Sequence, residues 1–286
     1  MLQIDTLGGL IITRDGDAVT RLATRKVAAL LVYLACTGRA HGREVLAEFL
    51  WPEGTPERAQ GNLRVALTSL RKHLGDYVLI RRDNVALNPD AQIRLDARDL
   101  EAELQAGQVE AALALYRGEF LQGFYLRGAP AFDDWATQER ERLHLAMVHA
   151  LHSQVDRDLA GGAFRAGIEH ALRLLAFDPL LEGAHWQMML LLAASGQRSA
   201  ALAQYETCRQ VLAEELGVEP SPEIQETYEL LLKGERPPGI PLAPGAWERE
   251  GPVGECPYRG LTAFREEDAS FFFGRESFTE RLHQAV

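Results

Sequence analysis

The segment Glu57–Gly75, ERAQGNLRVALTSLRKHLG, constrains the fold of this chain more than any other. At 100° per residue its leucines fall on one stripe of a helix, at positions Leu63, Leu67, Leu70 and Leu74. Outside that stripe lie Arg64, Val65, Thr68 and Lys72, with Arg71 on its flank. A helix that leucines hold to a core, with Arg, Thr and Lys facing outward, is suited to the major groove of DNA. An ordinary amphipathic helix has the same pattern, so the neighbouring segments must decide between the two interpretations.

The segments before this helix complete the pattern of a DNA-binding domain. Residues 2–19 read as strands around Asp15-Gly16, a pair typical of a hairpin turn. Arg25–Thr37 is an apolar helix, and Arg43–Trp51 is a second helix that Pro52 stops, because proline cannot continue it. Three helices therefore follow the strands, and the third is the most basic of them.

A second hairpin follows the third helix. In Tyr77–Leu87, YVLIRRDNVAL, two aliphatic or β-branched runs flank Asp83-Asn84, a pair that tolerates the positive φ of a tight turn. Arg81 and Arg82 come just before that turn, where a hairpin tip would offer them to a phosphate backbone. This order of strands, three helices and a basic hairpin predicts a winged helix-turn-helix with an N-terminal sheet.

The distribution of charge agrees with a polyanion partner for the first segment only. Residues 1–98 contain 14 Lys+Arg and 11 Asp+Glu, a net charge of +3. The whole chain carries 30 minus 41, or −11, so residues 99–286 carry 16 minus 30, or −14. Such asymmetry favours nucleic-acid binding by the first segment, although +3 is a weak balance for a DNA-binding domain.

The middle of the chain, residues 96–234, is predicted to be entirely helical. Gly162 and Gly196 each precede a helix, and 196 − 162 = 34, which is the period of tetratricopeptide repeats. Gly107 opens a third, similar pair, although two matched repeats alone also occur by chance. The predicted helices are Ala97–Ala106, Val109–Tyr116, Phe132–Leu159, Phe164–Ala176, Glu182–Ala194, Ser199–Leu216 and Pro222–Leu232.

These two parts, in this order, resemble the AfsR/DnrI/RedD type (SARP-like) of bacterial transcriptional regulators. Proteins of that type join an OmpR-like winged helix to a bacterial transcriptional activation domain of tetratricopeptide-like helices. The most specific match is a helix that ends in LAEELG and is followed by VEPSPE. The resemblance covers about residues 1–235, and its matching stretches are Arg25–Leu34, Glu48–Pro52, Ala59–Gly75 and Ala200–Pro222.

The resemblance implies which residues contact DNA. In that family the third helix enters the major groove and the wing reaches the backbone or the minor groove. For the groove this implies Asn62, Arg64, Thr68, Arg71 and Lys72. For the wing it implies Arg81 and Arg82, on a wing that is shorter here than in many relatives.

The end of the chain carries a second resemblance. Cys256–Glu276, CPYRGLTAFREEDASFFFGRE, is similar to the opening of STAND-type regulatory NTPase modules. No P-loop pattern occurs in the chain, so we expect the chain to be a piece of a longer protein. A docking tail of its own remains the alternative. The predicted domains are 1–95 (winged helix), 96–235 (helical repeat), 236–255 (Pro/Gly-rich linker) and 256–286 (start of an NTPase module).

Composition and motifs argue against several other classes of protein. The three cysteines are scattered and show no metal-ligand or CxxC spacing, which favours a reducing compartment, and no signal peptide is visible. The predicted location is therefore the cytoplasm, without membrane contact. His149 and His152 have the i,i+3 spacing of a metal pair but no evident third ligand. No catalytic or dinucleotide-binding motif is present, so neither an enzyme nor a cofactor is expected.

The sequence thus predicts a mainly α fold, with an N-terminal winged helix-turn-helix (α+β) followed by a tetratricopeptide-like all-α domain. The predicted function is sequence-specific DNA binding by a transcriptional regulator, and specifically an activator. Its expected partners are double-stranded DNA with direct-repeat half-sites, and RNA polymerase or a second copy on the helical repeat. Two alternatives remain open: a signalling scaffold whose winged helix only packs, and the sensor half of a STAND-type NTPase.

Overall fold

The structure is a computed structural model, and it describes residues 1–19 and 22–238. The predicted NTPase segment 256–286 and most of the predicted linker therefore lie outside the described residues. None of the described helices is long and apolar enough to cross a membrane.

The described strands are β1 (Leu2–Asp5), β2 (Ile11–Arg14), β3 (Asp17–Ala18), β4 (His41–Gly42), β5 (Val78–Ile80), β6 (Asn84–Leu87) and β7 (Ile93–Leu95). The described helices are α1 (Arg25–Thr37), α2 (Arg43–Leu50), α3 (Pro56–Leu74), α4 (Asp96–Gln105), α5 (Val109–Leu115), α6 (Pro130–Ala160), α7 (Phe164–Phe177), α8 (Glu182–Ala194), α9 (Arg198–Glu215) and α10 (Pro222–Lys233).

A four-stranded sheet has the order β3-β2-β1-β7, and α4 packs against its strands β1 and β7. Its β2–β3 hairpin turns at Asp15 and Gly16, which have φ of 54° and 91° and so form the predicted turn. β7 pairs parallel to β1, with Ile4 opposite Leu95. The edge strand β7 therefore comes after the hairpin in Tyr77–Leu87. The sequence pattern did not indicate this strand.

A three-stranded sheet with the order β4-β6-β5 carries the wing, defined here as the β5–β6 hairpin. Ile80 pairs with Val85, and the tip lies between them. The prediction of a left-handed turn at Asp83-Asn84 was wrong, because neither residue has a positive φ and Asn84 already belongs to β6. Instead, the backbone N–H of Arg43 donates to Asp83 O (3.1 Å), so the tip is held from the side by the start of α2.

The winged helix-turn-helix followed by a helical repeat is confirmed, and the repeat is built from antiparallel helix pairs. α4/α5, α6/α7 and α8/α9 are each joined by a glycine in the left-handed region. The three glycines are Gly107, Gly162 and Gly196, with φ of 72°, 72° and 83°. In each turn the residue after the glycine donates its N–H to a carbonyl five residues earlier, which satisfies the end of the preceding helix. The same turn therefore recurs three times, and glycine, which has no Cβ, adopts it at no steric cost.

The winged helix and the helical repeat share one hydrophobic core, which extends from Leu2 in β1 to Ala184 in α8. At their junction Tyr33 of α1 meets Trp135 of α6 edge-on, with ring centroids 5.0 Å apart. Phe49 of α2 meets Phe132 of α6 in the same way at 6.1 Å. Such aromatic pairs contribute about 0.5–1.5 kcal/mol each beyond the area they bury. The two parts therefore meet across a packed joint instead of an open linker.

Two polar anchors fix this joint. The Lys26 ammonium donates to Leu50 O (2.6 Å) and Gly128 O (2.9 Å), and so ties α1 to both the end of α2 and the loop before α6. The buried Asp96 carboxylate, at the start of α4, accepts the backbone N–H groups of Thr6 (2.8 Å) and Leu7 (2.9 Å). Both anchors bind backbone groups, so they fix the positions of main-chain segments on the two sides of the joint.

Candidate nucleic-acid interface

α3 begins and ends where its sequence dictates. Thr55 caps its N-terminus by accepting the N–H of Arg58 (3.4 Å), and Pro56 occupies the first turn, where no N–H is needed. The backbone N–H of Gly75 bonds to Arg71 O at the other end. The four predicted leucines are all buried, so the stripe that faces the core is the one that the 3.6-residue period predicts: Leu63, Leu67, Leu70 and Leu74.

The C-terminal end of α3 is anchored to the N-terminal sheet. Arg14 of β2 donates to the carbonyl oxygen of His73 (2.8 Å), and its guanidinium lies 5.7 Å from the ring centroid of Tyr77. A cation at this end also complements the helix dipole. The orientation of α3 is therefore set by contacts to both sheets as well as by its leucines.

All seven residues that the sequence and the family resemblance implicate are exposed. The helix α3 carries Asn62, Arg64, Thr68, Arg71 and Lys72, and the tip of the wing carries Arg81 and Arg82. None of these side chains is needed to fill the core, so all of them are available to a partner. Thr68 is engaged locally, because its hydroxyl donates to Arg64 O (2.9 Å).

A groove of about 550 Å³ separates α3 from the wing, and it brings two of the seven residues together. Arg64 enters it from α3 and Arg82 from the wing. Three arginines and two carboxylates face this groove, which leaves it with a positive balance. The lining residues are Gly42, Arg43, Glu44, Val45, Gln60, Leu63, Arg64, Arg82 and Asp83.

The other predicted residues lie around the groove and not in it. Asn62 is two residues from Arg64, which places it about 160° away around the helix, on the flank remote from the wing. Lys72 lies on the outward face of α3, near its C-terminal end. Arg81 does not line the groove. The seven residues therefore form a broad face with the Arg64–Arg82 groove along one side.

The groove also contains two candidates that the sequence analysis missed. Arg43 stands at the first position of α2, and Gln60 stands one turn before Arg64 on α3. Arg43 reaches the groove because β4, just before it, pairs with the wing strand β6 through His41 and Val85. No local pattern signals this two-residue strand, so Arg43 could not be assigned from its neighbours. Gln60 could have been found from its i,i+4 relation to Arg64.

Outside this face, a polar cluster around the buried His170 joins three helices of the repeat. Both ring nitrogens of His170 lie within hydrogen-bond distance of carboxylates. Its Nδ1 is 2.6 Å from Asp158 Oδ2, and its Nε2 is 2.7 Å from Glu110 Oε1. Arg173 also donates to Glu110 (3.0 Å), and Arg173 and His170 together hold the pKa of the Glu110 carboxyl below its usual range. Within residues 1–19 and 22–238 no group of three or more His, Cys, Asp or Glu is placed to hold a metal ion. Through these hydrogen bonds the cluster links α5, α6 and α7.

The fold and this face define a class of protein: a winged helix-turn-helix whose core is continuous with a tetratricopeptide-like domain. Residues 85–232 match the family model of the bacterial transcriptional activator domain, and the chain belongs to that family. Residues 257–286 match the model named Novel STAND NTPase 1. Both resemblances stated from the sequence are thereby confirmed.

Curated relatives of the chain are regulatory proteins. It is 31% identical to the regulatory protein AfsR of Streptomyces coelicolor, over 82% of this chain and 24% of that protein. It is 27% identical to the regulatory protein DnrI of Streptomyces peucetius, over 88% of this chain and 96% of that protein. The chain thus spans about a quarter of the length of the AfsR relatives and nearly all of DnrI.

A solved structure has the same architecture. Mycobacterium tuberculosis EmbR, in complex with a low affinity phosphopeptide, matches with a TM-score of 0.64 and 26% sequence identity. The match covers 82% of this chain and 66% of the EmbR chain. The arrangement of winged helix and helical repeat is therefore shared with this relative.

Proposed function

We propose that this chain is the DNA-binding and activating part of a transcriptional regulator that acts in the cytoplasm. The observation that carries the proposal is the groove in which Arg64 of the recognition helix and Arg82 of the wing converge. Two arginines on separate elements, with a third at the start of α2, match a polyanion whose backbone runs between helix and wing. The regulatory names of the relatives support the same function.

In this proposal α3 lies in the major groove and the wing contacts the adjacent backbone. Arg64, Asn62 and Lys72 lie on different sides of α3, so they reach different strands or different base steps. Arg64 has the geometry to bind guanine through two parallel hydrogen bonds, and asparagine binds adenine in the same manner. Arg81 and Arg82 supply contacts to phosphate, which position the protein without reading sequence.

The helical repeat supplies protein contacts in this proposal. Two winged helices bind direct-repeat half-sites about 10–11 base pairs apart, one turn of the duplex, on the same face of DNA. RNA polymerase or a second copy of the chain then binds the repeat, because stacked helix pairs form extended protein-binding surfaces. The packed joint at Tyr33 and Trp135 keeps that surface in a fixed position relative to the DNA.

The test begins with selection of bound sequences from a randomised duplex pool, followed by fluorescence anisotropy on the winner at several salt concentrations. We expect a repeated motif that is bound at least about a thousandfold more tightly than random duplex. The spacing of the repeats would give the half-site geometry directly. Weak binding that shows no enriched motif and disappears near physiological salt would contradict the proposal and favour the scaffold alternative.

Three variants separate base reading from phosphate contact. Arg64→Ala should weaken binding to the selected site by about 1–3 kcal/mol and relax the preference at one base pair. Arg82→Ala should weaken all duplexes nearly equally and reduce the slope of log K against log salt by about 1. Arg165→Ala removes the same charge from an exposed position on α7 and is the matched control. If all three variants bind alike, the face described above is not the DNA interface.

A further inference from the structure

The outward face of α3 carries an apolar side chain that the fold does not explain. Val65 is 67% exposed, the highest value among the large hydrophobic residues of the described part of the chain. A β-branched residue is a weaker helix former than Ala, Leu or Lys, and here it gains no burial in exchange. The helix would be more stable with almost any long-chain residue in this position.

Gly61, one turn before Val65, is unexplained in the same way. It lies within α3, its φ is helical, and a Cβ placed there would meet no atom of the rest of the chain within 4 Å. Glycine is the poorest helix former after proline, so this residue weakens the helix without relieving any contact inside the protein. Absence of a side chain at this point lets an outside partner approach the helix backbone closely.

These two residues lie on one line that points away from the core. Gly61, Val65, Thr68 and Lys72 follow each other at spacings of four, three and four, which place them on a single row of a helix. Thr68 turns its hydroxyl onto Arg64 O, which leaves its methyl group as the unengaged end of the side chain. The row therefore presents bare backbone, an isopropyl group and a methyl group, and ends on a lysine.

The charges around this row identify the partner that would cover it. Arg64 and Arg71 flank it on the side of the wing, and Lys72 closes it. A protein partner with an apolar patch would have to bury these cations unpaired, whereas duplex DNA places phosphates beside them. The apolar group that DNA offers on the floor of its major groove is the C5-methyl group of thymine.

We infer that Val65 is a specificity residue that reads thymine through its C5-methyl group, with Gly61 allowing the close approach that this contact requires. The inference rests on the proposed DNA-binding function and adds to it the identity of a base. Arginine and asparagine recognise guanine and adenine by hydrogen bonds. Val65 makes an apolar contact with the methyl group of thymine, which forms no hydrogen bond. The operator should therefore contain at least one thymine whose methyl group contributes to binding.

The test uses the whole chain and the duplex that it selects from the randomised pool. Each thymine of the half-site is replaced in turn by deoxyuridine, which removes only the C5-methyl group. At one or two positions we expect affinity to fall about threefold to fourfold, the effect of exposing one methylene-sized group (roughly 0.8 kcal/mol). Val65→Ala should bind the thymine and the deoxyuridine duplexes equally at those positions. Val218→Ala, at an exposed valine of the helical repeat, should keep the wild-type ratio.

Gly61→Ala gives an independent measurement. Alanine should raise the melting temperature by about 2–4 °C because it favours the helix. It should also lower affinity for the selected duplex at least about tenfold, because the new methyl group holds the helix away from the base edges. A more stable protein that binds less tightly is the expected combination. Unchanged affinity in this variant would overturn the inferred close approach.

The outcomes distinguish this inference from the function on which it rests. If a specific site is selected but deoxyuridine has the same effect on wild-type and Val65→Ala protein at every position, only the inference fails. A selected site without thymine overturns it as well. If no sequence is selected at all, both the DNA-binding function and the inference fail.

Discussion

Replacing the buried Asp96 by asparagine tests whether the winged helix and the helical repeat are held together as the structure shows. Asp96 is 2% exposed and stands at the start of α4. Its Oδ1 accepts the hydroxyl (2.7 Å) and the backbone N–H (2.8 Å) of Thr6, and its Oδ2 accepts the N–H of Leu7 (2.9 Å). The Arg117 guanidinium lies 3.5 Å from the same Oδ2. Asparagine has the same size but only one acceptor oxygen.

The expected cost follows from counting the donors that asparagine cannot satisfy. With its oxygen facing Thr6, the amide nitrogen faces the Leu7 N–H, so two donors meet and one buried N–H loses its partner. An orphaned buried donor costs about 1–3 kcal/mol. The bonds that remain lose their charge assistance, and about half of their strength with it. Together these effects should lower the free energy of unfolding by about 3–5 kcal/mol, in the range for breaking a buried ionic network.

Urea unfolding followed by far-UV circular dichroism measures this difference, provided that the m-value is unchanged. The matched control is Asp99→Asn, three residues further along α4, which removes a half-exposed carboxylate that pairs with Arg94 at 2.6 Å. A surface pair of this kind contributes about 0.2–1 kcal/mol. A loss below 1 kcal/mol in Asp96→Asn, equal to that of the control, would refute the role of Asp96 as the anchor between β1 and α4.

Three further predictions concern the same scaffold. Phe132→Ala should lower the free energy of unfolding by about 3–5 kcal/mol because this fully buried ring lies at the joint, and Phe132→Leu should lose clearly less in the same denaturation assay. Burial, and to a lesser extent the charge of Arg39, lowers the pKa of His41 from its usual 6.5, so the folded state binds this proton less well than the unfolded state. His41 should therefore contribute stability that is fully present above pH about 6.5 and is lost as the pH falls below that value, and His41→Gln should remove this part of the pH dependence. Arg14→Ala should free the His73 carbonyl and speed amide hydrogen exchange in the last turn of α3, with little effect on exchange in α8.

Periodicity located the secondary structure of this chain closely where one face of an element is buried. The predicted bounds of Arg25–Thr37 agree with α1, and those of the repeat helices differ from the structure by one or two residues at most ends. Left-handed glycines at Gly107, Gly162 and Gly196 mark the turns, because glycine adopts that backbone at no steric cost. These signals are local, so a single sequence suffices to read them.

The candidate site was predictable only in part. Exposure of all seven residues follows from the leucine stripe and the hairpin pattern, since both say which side of an element is buried. The pairing of Arg64 with Arg82 in one groove does not follow, because it depends on how far the wing leans toward α3. The error at Asp83-Asn84 has the same origin. The backbone N–H of Arg43, forty residues away along the chain, donates a hydrogen bond to Asp83 O and fixes the tip, which turns without a positive φ.

Local patterns in the sequence specify which segments are helices, where they turn and which face of each is apolar, because the 3.6-residue period, glycine and proline act over a few residues. Three features depend on long-range packing: β7 lies beside β1, Arg43 enters the groove beside the wing, and Tyr33 and Trp135 join the two parts in one core. These contacts link residues that are forty to a hundred positions apart along the chain. They form because the side chains of the whole core must pack together and because buried backbone groups need hydrogen-bond partners. Both requirements involve residues far apart in the chain, so no local pattern of residue types predicts the result.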